Sequence, residues 1–318
     1  MERRIIPRLA SGVTIAAAVF AMVPAAHATY PGADGDIAYL VQGSDFAIRA
    51  VAPDGSGDHR LSIGRRNAVD AEYTPDGASV LIAEWGRRGG RILLQELATS
   101  ARNVILPRGE VPGQGDPFSI GVSPDGGSVV FCVFGRSHGG RLFTIDVDGS
   151  DLTKISFGTD DCHADWGVND RIVATQELGS GERVVFHMAP DGSDRQPVVT
   201  LPDPPGRFTF FVVPNWSPDG SRIVFGAQRN TRQSDLWGVD PDGSDLLRLT
   251  TTKRRHEYGP LWAPDGSGIV FTAARAGRRS NPAPGDLFLA DPDGTDVVRL
   301  TDTRRRDEYS RSWQAIIP

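Results

Sequence analysis

The sequence has few lysines, few cysteines and no apolar run of membrane-spanning length, and each shortage excludes a class of protein. Only Lys154 and Lys253 are lysines, and the 34 Lys and Arg residues are outnumbered by 40 Asp and Glu residues, for a net charge of −6. A nucleic-acid-binding protein needs a basic surface to neutralise phosphates, so we expect no nucleic-acid partner. The apolar run from Val13 to Val23 is too short for a typical transmembrane helix.

Residues 1–28 have the layout of a secretory signal peptide. Three arginines among the first eight residues precede the apolar run, and Ala26-His27-Ala28 places small residues on either side of a bulky one, as at a cleavage site. Cleavage after Ala28 removes three Arg and one Glu, which lowers the net charge by two, to −8. We therefore predict an exported protein of the periplasm, the cell envelope or the extracellular medium, with no transmembrane segment after signal removal and with its export route open.

The two cysteines leave two alternatives open. Cys132 and Cys162 fall in neighbouring repeat units, and a disulfide between them would persist in an exported protein. A free cysteine is also a common small residue of hydrophobic cores. The sequence does not decide between them.

Internal repeats organise the rest of the chain. Two kinds of turn alternate, and most copies contain Pro-Asp-Gly. In the first kind the turn usually follows an aromatic residue, as in Trp216-Ser-Pro-Asp-Gly220. The position held by Asp219 in this motif recurs every 45 to 49 residues, at 76, 125, 170, 219 and 265. The second kind includes Asp240-Pro-Asp-Gly243. Pro presets the turn, Asp bonds the local backbone and Gly takes the positive φ, so each copy predicts a connection between antiparallel strands.

The segments between the turns have the composition of strands. Ser221–Gly226 and Gly268–Thr272 are rich in β-branched and aromatic residues, Asp235–Asp240 alternates polar and apolar residues, and Leu246–Thr250 ends the unit. No comparable stretch has a helical period. Each repeat therefore predicts a four-stranded antiparallel meander.

The repeat from Trp216 to Thr250 contains Trp-Ser-Pro-Asp-Gly, Ile-Val-Phe, Asp-Leu-Trp, Asp-Pro-Asp-Gly-Ser-Asp and Arg-Leu-Thr. It closely resembles the WD40-like, or PD40, repeat of the TolB family. The resemblance covers essentially all of residues 29–318 and implies an all-β, six-bladed β-propeller of four-stranded antiparallel blades. There is no room between Ala28 and Ile37 for the α/β domain that precedes the TolB propeller, and no Gly-x-Ser-x-Gly elbow of a serine peptidase. Any function is therefore expected to belong to the propeller.

The two ends of the chain are complementary. The segment around Ile37 matches the second strand of a repeat, whereas Asp307–Trp313 matches the first strand His256–Trp262 with no remainder of a unit after it. We predict that the C-terminal strand completes the first blade. Such closure joins the ends and removes exposed sheet edges.

Two recurrent features have structural explanations. The aromatic residues at one repeat position are expected to fill the gaps between blades rather than to form a ligand cage. They are Tyr73, Trp166, Trp216, Trp262 and Trp313.

Acidic turns such as Asp240–Asp245 offer the hard oxygen ligands that calcium prefers. However, they lack the longer series of ligands, ending in Glu, that forms an EF-hand loop. The histidines are not spaced as the ligands of a metal site would be. We expect no metal and no cofactor, with calcium as the alternative.

The entrances to the first strands form a candidate site, because these strands line the central channel of a propeller. Acidic residues and histidines gather there in five of six repeats, whereas Phe210-Phe211-Val212 of the fifth is apolar. The predicted channel mouth comprises Asp70, Glu72, Asp116, Asp161, His163, Asp165, His256, Glu257, Asp307 and Glu308. A ring of one charge repels itself, and a basic partner would relieve the repulsion. The alternative is an ordinary solvated surface on which arginines pair with these acids.

The sequence favours a monomeric, non-enzymatic scaffold that binds a protein or peptide partner at the cell envelope through its channel mouth and loop faces. This expectation follows from the TolB resemblance, which implies envelope-associated protein interaction. The alternative is a secreted lyase or hydrolase acting on a carbohydrate or lactone, with acids of the mouth as general acid and base.

Overall fold

The computed structural model describes residues 31–42, 46–62, 67–87, 89–111, 113, 115–135, 138–156, 160–201, 212–228, 233–275, 284–303 and 307–317. The predicted signal peptide, Phe210, Phe211 and the arginines at 304–306 lie outside these residues. No helix within the described ranges is both long and apolar enough to cross a membrane.

The described residues form six sheets, each of four antiparallel strands. The strands are β1 Ala33–Gln42, β2 Phe46–Val51, β3 His59–Arg60, β4 Asn67–Tyr73, β5 Ser79–Trp85, β6 Arg91–Glu96, β7 Arg102–Leu106, β8 Asp116–Val122, β9 Ser128–Gly135, β10 His138–Asp146, β11 Thr153–Lys154, β12 Asp161–Trp166, β13 Ile172–Glu177, β14 Arg183–Met188, β15 Gln196–Leu201, β16 Asn215–Trp216, β17 Ile223–Ala227, β18 Asp235–Val239, β19 Leu247–Arg248, β20 Arg255–Trp262, β21 Ile269–Arg275, β22 Gly285–Ala290, β23 Val298–Arg299 and β24 Asp307–Ile316. Blade 1 consists of β24, β1, β2 and β3, and blades 2 to 6 each take four consecutive strands from β4 onward.

The first strand of each blade faces the centre of the ring. β4, β8, β12, β16, β20 and β24 contact one another in this order, and β24 contacts β4, so the ring is closed. The later strands of each blade lie progressively further out. This arrangement confirms the predicted six-bladed propeller.

The C-terminal strand completes blade 1, as predicted. β24 pairs with β1 from Asp307 opposite Gln42 to Ile316 opposite Ala33. The indole Nε1 of Trp313 donates to the carbonyl oxygen of Gly35 at 3.1 Å. One sheet therefore contains both ends of the described chain.

Hydrogen bonds inside the Pro-Asp-Gly segments confirm that they are turns. In the first kind, Asp125 Oδ1 accepts from the backbone N–H of Gly127 at 2.9 Å and from Ser123 Oγ at 2.6 Å. In the second kind, Asp242 Oδ1 accepts from the N–H of Ser244 at 2.9 Å, and Gly243 has a φ of 85°. The aspartates of the repeat signature are thus used to hold the turn backbone.

The aromatic residues of the repeat position fill gaps between blades, as predicted. All five are buried, with exposed fractions from 0% for Trp216 to 7% for Trp262. Trp216 of blade 5 packs so closely on Gly167 of blade 4 that a Cβ at that glycine would lie 2.5 Å from the indole Cδ1. These side chains therefore stabilise the ring by joining adjacent blades.

The two cysteines form a disulfide, which decides between the alternatives left open by the sequence. Cys132 lies in β9 of blade 3 and Cys162 in β12 of blade 4, with their Cα atoms 5.4 Å apart. Both residues are buried. The bond ties two neighbouring blades covalently.

Candidate functional site

The innermost strands are irregular where they line the channel. β4, β8, β12, β20 and β24 each have a register shift in their pairing with the next strand. Ser119 and His163 have positive φ angles of 51° and 54°, and Gly259 at the same repeat position has 59°. A bulge breaks the alternation of a strand, so that consecutive residues face the channel. Positive φ at non-glycine residues marks candidate functional positions.

The channel contains a cavity of about 600 Å³, a volume within the range of roughly 300–1,000 Å³ that is typical of small-ligand pockets. Its wall combines charged groups with aromatic rings. The charged and titratable lining residues are Asp70, Glu72, Asp160, His163, Asp165, Glu177, Arg183, Tyr258, Tyr309 and Arg311. Val212, Val213 and Pro214 of blade 5 contribute an apolar sector.

Two carboxyl groups of the cavity have strongly perturbed acidities. Burial raises the pKa of Glu72 well above its usual range, and the negative charges of Asp165 and Asp70 raise it further. Burial also raises the pKa of Asp165 to about 6, although backbone N–H groups counteract this shift. One of them is the N–H of Trp216, which donates to Asp165 Oδ2 at 2.8 Å. Protonated forms of these carboxyls are therefore populated closer to neutral pH than those of exposed acids.

The two arginines of the wall are each matched to a carboxylate. Arg311 Nε lies 3.4 Å from Asp70 Oδ1, and Arg183 Nη2 lies 2.7 Å from Glu177 Oε2. These two pairs balance their own charges. Neither Glu72 nor Asp165 forms an ion pair among the described residues, so their charges are not balanced by a neighbouring cation.

His163 is a neutral member of the wall. Burial, followed by the positive charges of Arg183 and Arg311, lowers its pKa to about 4. Its ring meets that of Phe118 edge-on, with centroids 5.9 Å apart. The histidine therefore acts as a polar aromatic surface at neutral pH rather than as a cation.

Four further aromatic side chains extend from His163 around the channel entrance, and we call them the aromatic arc: Phe46, Trp85, Phe118 and Phe134. Ring centroids of Phe46 and Trp85 are 6.4 Å apart, and those of Trp85 and Phe118 are 6.5 Å apart. Phe118 and Phe134 are stacked at 5.0 Å. Trp85 is 38% exposed and Phe134 is 47% exposed, so the arc presents aromatic surface to solvent beside the charged cavity.

The aromatic arc is not among the residues predicted from the sequence, although a signal for it exists. Trp85 and Phe134 occupy one repeat position, near the end of the second strand of their blades. The equivalent residues in the other repeats are Gln42, Glu177, Gln228 and Ala274. A comparison of this outer position, rather than of the repeated tryptophan, would have identified two aromatics that the repeat itself does not require.

The structure brings together four of the ten residues predicted for the channel mouth. Asp70, Glu72, His163 and Asp165 all line the cavity. The remaining six are not among its lining residues; they are Asp116, Asp161, His256, Glu257, Asp307 and Glu308. Contact of any of the ten with a partner stays a prediction.

Glu257 and Glu308 are fully buried at equivalent positions. Each carboxylate accepts hydrogen bonds from two threonine hydroxyls at the end of the preceding blade. The donors are Thr250 and Thr252 for Glu257, and Thr301 and Thr303 for Glu308, the last at 2.7 Å. These glutamates therefore join successive blades.

Three of the remaining four predicted residues, Asp161, Asp307 and His256, also have local partners. Asp161, which is fully buried, accepts from both terminal nitrogens of Arg195 at 3.0 and 3.1 Å. Asp307 Oδ1 accepts from the N–H of Gly285 at 3.1 Å, and His256 Nδ1 from that of Ser234 at 3.3 Å. Asp116 is half-buried at the start of β8. Among the described residues no three His, Cys, Asp or Glu side chains converge as a ligand set for a metal ion.

Comparison with solved structures identifies the architecture. TolB from Acinetobacter baumannii superposes with a TM-score of 0.69 at 18% identity, over 88% of this chain and 67% of that one. A putative TolB from Agrobacterium tumefaciens gives 0.68 at 16% identity, over 89% and 100%. A chain of a nidogen–laminin complex gives 0.65 at 11% identity, over 88% and 98%. An oligogalacturonate lyase from Vibrio parahaemolyticus gives 0.51 at 17% identity, over 80% and 74%.

Sequence comparison alone gives no relative. No protein-family model matches the chain, and no curated protein is similar enough in sequence to match it. The similarity to solved structures, at 11–18% identity, is therefore a similarity of fold. Together with the repeat signature and the closed ring of six blades, it establishes that this chain is a TolB-like β-propeller in fold.

Proposed function

We propose that the protein is a non-enzymatic scaffold that binds a protein or peptide partner at the mouth of its channel. The observation that carries this proposal is the aromatic arc, in which Trp85 and Phe134 remain 38% and 47% exposed beside a charged cavity. Aromatic side chains at the rim of a concave site are typical anchors of protein interfaces. The fold agrees with such a role, since one similar chain belongs to a complex between nidogen and laminin.

The proposed setting is the cell exterior or envelope, and the proposed state is a monomer without a cofactor. Export is supported by the signal-like segment before residue 29 and by a disulfide, which persists in oxidising compartments. A monomer is supported by four of the six outermost strands, β3, β11, β19 and β23, which are only two residues long; the other two, β7 and β15, have five and six residues. Very short edge strands limit pairing with other chains.

A selection from displayed random peptides tests the proposed function, because it requires no identified partner. The purified propeller is the bait, and the enriched peptides are re-measured with W85A/F134A and with a control, L247S/V298S. Leu247 and Val298 are 55% and 58% exposed on outer strands away from the channel. We expect binding to be lost in the arc variant and retained in the control. Equal binding by all three proteins, or no enrichment, would overturn the proposal.

A second candidate function is hydrolysis or elimination on a carbohydrate or lactone. It is favoured by the raised pKa values of Glu72 and Asp165, which suit acid–base catalysis, and by the similarity in fold to an oligogalacturonate lyase. The test measures turnover of oligogalacturonides and simple lactones with and without added divalent cations. Turnover that is abolished in E72Q and D165N would favour the enzyme, and its absence in the wild type would favour the scaffold.

A further inference from the structure

We propose that the channel takes a positively charged nitrogen at the end of an extended peptide, with the peptide chain packed against the aromatic arc. This inference rests on the proposed function, because it names the chemistry of the partner segment. The same ammonium chemistry is offered by a free N-terminus and by a lysine side chain, and the experiment below separates these two sources. Three features of the cavity support the proposal: its unbalanced charge, its length and the neutral aromatic surface at its entrance.

The cavity has more carboxyl groups than cationic side chains to pair with them. Asp70 is matched by Arg311 and Glu177 by Arg183, which leaves Asp160, Glu72 and Asp165 without an ion pair among the described residues. Asp160 accepts the backbone N–H of Gly140 at 2.6 Å, and Glu72 and Asp165 are the pair that the proposal concerns. Both carboxyls line the same cavity, and the negative charge of Asp165 raises the pKa of Glu72. A cation between them would stabilise both ionised forms, whereas an anionic ligand would add to the repulsion.

The depth of the cavity fits the end of an extended chain. Glu72 and Asp165 occupy the same position in the innermost strands of their blades. When the repeats are aligned, Phe118 of the arc lies three positions closer to the start of its own innermost strand. At about 3.3 Å per residue, this separation is at most roughly 10 Å, because the bulge between Phe118 and Gly121 shortens the strand, and two or three residues of an extended peptide cover it. The segment we expect is therefore a short chain end with its charge at the tip and an apolar residue about two or three positions away.

The entrance favours a cation in transit rather than repelling one. His163, adjacent to Phe118, is held neutral by its lowered pKa. The faces of Trp85, Phe118 and Phe134 attract cations through their ring quadrupoles and also pack against apolar side chains. A peptide bearing both features would therefore match the arc and the carboxyl pair at the same time.

The probes are four tetrapeptide amides of matched size. Ala-Ala-Ala-Phe-amide has a free amine, its N-acetylated form has none, acetyl-Lys-Ala-Ala-Phe-amide carries the charge on a side chain, and the norleucine analogue of the last is neutral. Binding is followed by calorimetry and by the fluorescence of tryptophan, because Trp85 is 38% exposed at the entrance. We expect at least one charged peptide to bind at least tenfold more tightly than its neutral counterpart, and added salt to reduce this preference.

Variants assign the preference to the channel. In E72Q/D165N the charged peptide should lose at least tenfold in affinity while its neutral counterpart is unchanged. E257Q is the matched control, because Glu257 is also a buried carboxyl with a raised pKa but does not line the cavity. It should leave both affinities unchanged, provided that thermal melting shows each variant to be folded. Equal loss in the control would place the charge effect elsewhere and overturn the proposal.

A measurement on the wild type keeps the test independent of folding defects. Besides burial, the pKa of Glu72 responds to the charges of Asp165 on β12 and Asp70 on its own strand and to a hydrogen bond with Ser312 on β24. The other titratable residues of the cavity are Asp160, His163, Glu177, Arg183, Tyr258, Tyr309 and Arg311. A cation that enters this group favours ionised carboxyls, so binding near pH 6 should release protons, seen as buffer-dependent calorimetric enthalpies. Tight binding of neutral peptides without charge preference or proton release would overturn this inference while leaving the proposed scaffold function intact. Failure of every peptide, in the tetrapeptide and display experiments alike, would overturn both.

Discussion

Two kinds of junction hold neighbouring blades together. Comparing them distinguishes residues that the repeat uses for structure from residues that are found only around the cavity. At the junctions from blade 5 to 6 and from blade 6 to 1, a buried glutamate accepts two threonine hydroxyls of the preceding blade, as at Glu257 and Glu308. At the junction from blade 3 to 4, the acid Asp161 pairs instead with Arg195 of its own blade. The hydroxyl of Ser156, equivalent to Thr250, has no hydrogen-bond partner among the described residues, and the Cys132–Cys162 disulfide joins the blades.

This difference shows that the residues that depart from the repeat pattern are concentrated around the cavity. Blades 6 and 1 follow the repeat closely, and their glutamates at the strand entrance are used in structure. Blades 2 to 4 supply Glu72, His163, Asp165 and most of the aromatic arc, none of which the repeat requires. The junction between blades 3 and 4 lacks the glutamate–threonine bonds and has a disulfide instead, so it is joined covalently where the inner surface differs from the repeat.

The largest expected effect comes from removing the strand that closes the ring. Deletion of residues 307–318 exposes the whole edge of β1 and removes the buried Glu308, Trp313 and Ala315. We expect the truncated protein to be unfolded or aggregated, because an open sheet edge and a missing interface act together. Size-exclusion chromatography and thermal melting measure this outcome.

A rearranged chain provides the control for the deletion. Because Ile316 lies opposite Ala33 in the β24–β1 pair, residues 307–317 can be placed before residue 31 through a short turn. This order should restore a cooperative melting transition. A truncated protein that is soluble and melts cooperatively would contradict the importance of closure by β24.

The second effect concerns the disulfide at the divergent junction. Its sequence separation is 30 residues, and closing a loop of that size stabilises a fold by about 3.6 kcal/mol in the chain-entropy account. We expect C132A/C162A to lose about that much in the free energy of unfolding measured with urea. The wild type with and without a reductant tests the same bond without substitution, and insensitivity to both changes would show that packing alone holds this junction.

The fold could be predicted from the sequence because its signals are local and repeated. Pro-Asp-Gly turns, β-branched runs and the recurring tryptophan each report on a few consecutive residues, and the unmatched strand at Asp307–Trp313 predicts the closure. The site could be predicted only in part. A residue such as Glu257 has the same composition signal as Glu72, and only the three-dimensional positions of Thr250 and Thr252 show that the first is used inside a junction.

The third prediction tests the regular junction. E257Q and E308Q should each lower the free energy of unfolding by about 1–2 kcal/mol, because an amide nitrogen cannot accept the hydroxyl proton that a carboxylate oxygen accepts. Urea titration at pH 7 provides the measurement. The two variants should behave alike, since their junctions are equivalent, and D161N is the comparison from the divergent junction. Unequal effects of E257Q and E308Q would break the equivalence on which the comparison rests.

The smallest expected effect has the opposite sign and concerns Glu72. Its pKa in the folded protein is raised, so the folded state holds its proton more tightly than the unfolded state does. Its contribution to stability is present below the unfolded pKa, near 4.5, and is lost as the pH rises through the folded value. E72Q removes this loss, and we expect it to be more stable than the wild type at pH 8 and about equal to it at pH 4.

The pH profile of the difference between E72Q and the wild type isolates this carboxyl. Turn aspartates such as Asp125 have lowered pKa values and reduce stability in acid, but they do so equally in both proteins. D165N should show the same pattern with its change centred between about pH 4 and 6, because burial raises the pKa of Asp165 to about 6. E257Q, by contrast, should be less stable than the wild type at pH 7. If E72Q is destabilised at pH 8 as E257Q is at pH 7, then Glu72 serves a junction as Glu257 does, and the division between structural and channel carboxyls does not hold.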